Sequence, residues 1–157
     1  MGLRKQREGF TGPNFQLVRS FTSTGAIIKF RVVKLLASGN ITHTTGTSGR
    51  GFVGIALAAA TGAGKKIPVV MHGVVSVQVS TRAVANGAYL RATSGAASTA
   101  SNLGGTVRSS TVAMTTALPV RPNIVGIALT SAAAAAAGTQ RTVDVLLLNA
   151  VNNPALL

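Results

Sequence analysis

Few side chains in this chain can move a proton or hold a metal: His43, His72, Glu8 and Asp144, with no cysteine at all. Paired-carboxylate hydrolysis needs two acids flanking one bond, and here Glu8 sits in a basic N-terminal stretch while Asp144 sits in a late aliphatic run. A glycosidase-like dyad is therefore disfavoured. Without thiolates, and with so few acids, the histidines lack the partners that complete a metal site. His72 shares the even positions of its segment with Ser76 and Gln78, and the expected role is an ordinary, partly exposed histidine. Ser, His and Asp are all present, but no nucleophile elbow surrounds any serine. The segment from Ala59 to Lys66 superficially resembles a phosphate-binding loop. It fails on mechanism, because Ala59 replaces the first glycine, Lys66 replaces the magnesium-binding hydroxyl, and Ile67-Pro68-Val69-Val70 reads as a strand. The expectation is a protein that is not an enzyme, with no catalytic, cofactor-binding or metal-ligating residues and no cofactor.

What the sequence does carry is architecture. Val53-Gly54-Ile55-Ala56-Leu57 recurs as Val125-Gly126-Ile127-Ala128-Leu129. Each copy runs into an Ala/Gly-rich stretch, a polar turn bearing Lys65-Lys66 or Arg141, and a β-branched or aliphatic run. Such a recurrence is a strand-loop-strand unit used twice. Period-two alternation is clearest from Ile67 to Val79, where Ile67, Val69, Met71, Val75, Val77 and Val79 occupy odd positions. Pro68 then belongs near a strand start or on an edge. Further strands are expected from Phe15 to Phe21, Ala26 to Leu36, Ala88 to Ala92, Asn123 to Leu129 and Thr142 to Asn149. Thr93 to Thr116, rich in Ser, Thr, Ala and Gly, reads as a long surface loop or a poorly specified hairpin. The alanines from Ala132 to Ala137 are too few for a stable helix before Gly138, leaving a tight connection or one helical turn. The fold class is all-β: a small barrel or sandwich of short strands with a repeated strand-loop-strand unit and an extended N-terminal arm.

At 157 residues the chain fits one domain, in which roughly 70% of the unfolded surface is buried. We divide it into a basic arm at 1–14 and a single β-rich domain at 15–157, with the long loop near 93–116. Aromatics make up only 4%, so Ala, Val, Ile and Leu must supply the core, and so modest a core favours help from neighbouring subunits. The formal charge is +13, from 15 Lys and Arg against 2 acids. Such a balance anticipates an acidic partner surface or nucleic acid. Nucleic acid is the weaker option, because the five Phe and Tyr89 lie mostly in apolar strand contexts and no duplex-reading helix is evident. No uninterrupted apolar run reaches the ~18–20 residues of a membrane span. Arg4-Lys5-Gln6-Arg7 would suit the start of a signal peptide, but Gly9 to Ser20 is no apolar core for one. Within the arm, Arg4, Lys5, Arg7 and Phe10 are the candidate partner-binding residues.

Read in order, several phrases resemble the capsid cement (decoration) proteins of tailed double-stranded DNA bacteriophages. They are Phe30-Arg31-Val32-Val33-Lys34, Ser38 to Thr45, Val53 to Leu57, Lys65 to Val77, Asn86-Gly87-Ala88-Tyr89-Leu90, Val125 to Leu129, and Val143 to Leu148. The resemblance spans about residues 26 to 150. It implies a structural virion protein on the outer surface of a phage head, commonly trimeric, that stabilises the shell by bridging neighbouring major capsid protein subunits. It also implies contacts with neighbouring cement trimers, and it brings no catalytic residues. The alternatives are a basic nucleic-acid-binding protein and a virion surface adhesin whose Ser/Thr-rich loop from Thr93 recognises glycans.

Overall fold

The alternating run from Ile67 becomes the longest strand of a computed structural model that describes residues 16–44, 52–93, 105–109, 124–136 and 139–148. Among those residues there are nine strands and no helix: β1 (Leu17–Thr22), β2 (Val32–Leu35), β3 (Ile41–His43), β4 (Phe52–Ala56), β5 (Lys66–Gln78), β6 (Tyr89–Ala92), β7 (Val107–Ser109), β8 (Ile124–Ala128) and β9 (Thr142–Leu147). They form one curled antiparallel sheet in the order β3-β2-β4-β5-β9-β8-β6-β7, with β1 also paired to β5. The curl makes a half-barrel, so the all-β expectation holds. The arm at 1–14 lies outside the described residues.

The expected strand from Ala26 to Leu36 is shorter in fact. The backbone turns at Lys29 and Phe30, where Phe30 takes a left-handed φ of 62°, and only Val32–Leu35 pairs as a strand. Ile27 makes a separate antiparallel bridge to Ala60. β7 falls inside the stretch read as a loop or weak hairpin, and it pairs with β6 through the buried Val107. Ala132 bridges Val84 and begins no helix among the described residues.

The repeated phrase proves to be part of a duplicated five-strand unit. β1 corresponds to the second half of β5, β2 to β6, β3 to β7, β4 to β8, and the first half of β5 to β9. The register carries this correspondence. Val33 stands opposite Gly54 and Leu90 opposite Gly126, and each pair is followed by a bulge at the same place. Ile27–Ala60 and Val84–Ala132 are matching antiparallel bridges; Ser23–Ile41 and Val79–Val107 are matching parallel ones. The glycines of the phrase have a common cause too. A Cβ on Gly54 would stand 2.1 Å from the Val70 carbonyl oxygen, and one on Gly126 2.3 Å from that of Leu146. Only hydrogen fits where the neighbouring backbone comes so close.

Each unit packs its own aliphatic core. In the first, Ile27, Val33, Ile41, Ala56, Ile67 and Val69 cluster. Their counterparts Val84, Leu90, Val107, Ala128, Val143 and Val145 cluster in the second. The second cluster also contains Val32, Ile55 and Val70, which lie on the opposite face of the first unit's sheet. The two units are thus joined by apolar burial through the outer face of the first. Three polar bonds pin that junction: Val32 N–H donates to the Gly105 carbonyl at 2.7 Å, Gln78 N–H to the Phe30 carbonyl at 2.8 Å, and Arg31 Nε to Gln78 Oε1 at 2.7 Å.

Candidate functional site

Arg4, Lys5, Arg7 and Phe10, the partner-binding candidates of the sequence, lie outside the described residues. The structure does place the groups considered for chemistry. His43 ends β3 and is buried, turned by β3 toward the first turn of the unit. There Ile28 N–H donates to its Nε2 at 2.8 Å, which requires that nitrogen to be unprotonated. Burial, and then the nearby Arg31 charge, push the His43 pKa down to about 4. Such a histidine is a neutral structural acceptor at ordinary pH. His72 is half-buried on β5, across the register from Leu17. Asp144 lies on β9 and accepts from Ser76 Oγ at 2.7 Å across the β5–β9 ladder. The histidines and the acid are not brought together, and no group of three metal-ligating side chains occurs among the described residues.

The arrangement that stands out electrostatically is on the outer strands β6 and β7. Strand alternation turns Leu90 inward and Arg91 to the other face, and the β6–β7 register sets Arg91 directly opposite Arg108. Arg82, exposed just before the Val84 bridge, adds its positive charge to the same neighbourhood. Desolvation lowers the Arg108 pKa first, and the Arg91 and Arg82 charges lower it further. Like charges directly opposite in an antiparallel pair destabilise it, by roughly 0.2–1 kcal/mol. Arg91 Nε and Arg108 Nε are also shielded from solvent with no hydrogen-bond partner. Asp144 is the sole carboxylate side chain among the described residues.

What such a cluster can do is bind an anion or an acidic surface. Each guanidinium is a planar fork of donors suited to carboxylate or phosphate. Overall composition pointed at a basic surface, but it drew attention to the N-terminal segment instead of these three arginines. The pairing of Arg91 with Arg108 depends on a register across a long Ser/Thr-rich connection, which alternation alone does not specify. The signal within reach was Arg91 itself, a charge flanked by Leu90 and Ala92 in a strand.

Among the described residues no helix is long and apolar enough to cross a membrane. Compared with known proteins, the chain matches no family model and no curated protein.

Proposed function

We propose that this protein is a capsid cement protein: a structural, non-enzymatic protein of the virion that binds the outer surface of a phage head. It stabilises the shell by bridging neighbouring major capsid protein subunits. One observation carries the adhesive part of this reading, the Arg82/Arg91/Arg108 cluster in a chain that holds 15 basic residues and 2 acids. So many cations cannot be neutralised from within, and an acidic partner surface would relieve the repulsion they build up. The phrases that resemble cement proteins supply the rest, including the homotrimer and the contact between neighbouring trimers. Bridging suits a rigid β body, because several modest footprints on one particle reinforce one another through effective concentration. The basic arm, through Arg4, Lys5, Arg7 and Phe10, would be a second point of attachment.

The test is co-sedimentation with purified heads of the cognate phage stripped of this chain, across a salt series. The expected result is saturable binding that weakens with salt, with R91E/R108E binding at least tenfold more weakly. Heads carrying the protein should also survive heating that ruptures bare heads. Tight binding to duplex DNA with no binding to heads overturns the reading.

A further inference from the structure

The two units treat their outer faces differently. In the first, Val32, Ile55 and Val70 are each 0% exposed, sealed under the second unit. In the second, their counterparts Tyr89, Ile127 and Leu146 form a row straight across β6, β8 and β9, which Val74 extends onto β5. We infer that this row and the neighbouring Arg91/Arg108 pair are one footprint, occupied by a partner segment that carries a carboxylate side chain beside aliphatic ones. The inference rests on the capsid reading. It adds which face grips the head, and what chemistry the gripped segment of the major capsid protein must have.

The apolar half of the footprint is a row that the chain itself leaves open. Tyr89, Ile127 and Val74 are half-buried, Leu146 is 37% exposed, and none of the four belongs to either core cluster. Leu129, whose counterpart Leu57 packs into the covered junction, is 41% exposed. Contiguous aliphatic side chains on one face, bordered by polar groups, are the usual anatomy of a protein contact.

The charged half lies beside it. Arg91 is two residues along β6 from Tyr89 and so shares its face, and Arg108 stands opposite Arg91 on β7. At the same register position the first unit holds Lys34 opposite Thr42, so the arginine pair belongs to the open face alone. Both Nε atoms are shielded from solvent and have no hydrogen-bond partner. A carboxylate seated between the two guanidiniums would meet a donor fork on each side and turn their repulsion into attraction. Asp144 does not do this: it shares the face but stands with Ser76 beyond the row, on the side away from the arginines.

The two halves together select the occupant. Two residues along a strand span about 7 Å, so one extended segment with an acid and an aliphatic residue two positions apart reaches both. A purely apolar partner would desolvate the arginines without pairing them, which is costly. A nucleic-acid backbone would pair them but leave the aliphatic row uncovered. A second copy of this chain has little to offer either, since its acidic side chains are Glu8, next to Arg7, and Asp144, already bonded to Ser76. Aliphatic cover over the row also removes water from the ion pair and strengthens it.

The experiment is co-sedimentation of the full chain with stripped heads of the cognate phage across a salt series, comparing wild type with L146S, R91Q, R108Q and K34Q. L146S should weaken binding at least tenfold at every salt concentration and leave the salt dependence as it was. R91Q and R108Q should each weaken binding at least tenfold at low salt and flatten the salt dependence. K34Q removes the same charge from the equivalent position of the first unit and should bind as wild type does. Each variant should keep the wild-type urea midpoint, R91Q and R108Q matching or exceeding it because they relieve a like-charge pair; L129S replaces L146S if the latter fails this check. Wild type that ignores the heads would overturn the capsid reading and this inference with it. Wild type that binds, while the aliphatic or the arginine variants bind equally well or K34Q does as much harm as R91Q, would overturn the inference alone.

Discussion

Protonating His43 should unfold this protein from within, and the structure sets both the window and the ceiling. Nε2 accepts the Ile28 N–H at 2.8 Å, so a proton there removes the acceptor and places a charge close to Arg31. Above pH 6.5 the histidine is neutral in the folded and unfolded chain alike. Between 6.5 and about 4 only the unfolded chain takes up the proton, so stability is lost as pH falls through that interval. Below about 4 both states are protonated and this contribution levels off. At about 1.4 kcal/mol per unit of pKa difference, the ceiling is about 3 kcal/mol. The assay is urea unfolding at fixed protein concentration from pH 7.5 to 4, comparing wild type with H43Q, whose amide oxygen can still accept from Ile28. Subtracting the two curves removes every other titrating group. Wild type should lose stability relative to H43Q with a slope approaching 1.4 kcal/mol per pH unit. Parallel curves between pH 6.5 and 4.5 would refute the assignment of His43 as a buried neutral acceptor.

Other outcomes follow from the same geometry. G54A and G126A each drive a Cβ into a backbone carbonyl, and both should destabilise by 1–3 kcal/mol or more in chemical denaturation, to similar extents because the two sites are equivalent. G87A meets no atom but forces alanine to a φ of 77°, which should cost about 1–2 kcal/mol, whereas G25A, with neither obstacle, should be neutral to slightly stabilising. Q78A strips a partner from the buried Arg31 guanidinium and should cost about 1.5–3 kcal/mol, read as a lower urea midpoint.

The sequence made the strands legible wherever aliphatic residues alternate or the Val-Gly-Ile-Ala-Leu phrase recurs, because both patterns are set locally by which face is buried. The duplication itself was half legible. The phrase marks β4 and β8, but the correspondence of β2 with β6 and of β3 with β7 rests on register and bulges. Those are long-range pairings with no local signature: Val33 and Leu90 share little beyond being aliphatic. The alternation from Ile67 to Val79 was read correctly as a strand, yet it concealed a division of labour. Ile67 and Val69 pack in the core of the first unit, Val75 and Val77 in that of the second, with no change of parity to mark the handover. The start of β2 was misjudged because Phe30 adopts a left-handed turn where its counterpart is Gly87; phenylalanine gives no warning of that conformation. The burial of His43 and the confrontation of Arg91 with Arg108 are likewise consequences of pairing.

β5 has a consequence for how the molecule comes apart. Its first half closes one unit and its second half opens the other, so no point along this ribbon separates two self-sufficient pieces. A cut within it strips a border strand from each side at once. The halves should therefore melt in a single step and resist expression as separate fragments. A tug on either end is also passed to the other along one continuous backbone, with no slack linker between them to absorb it.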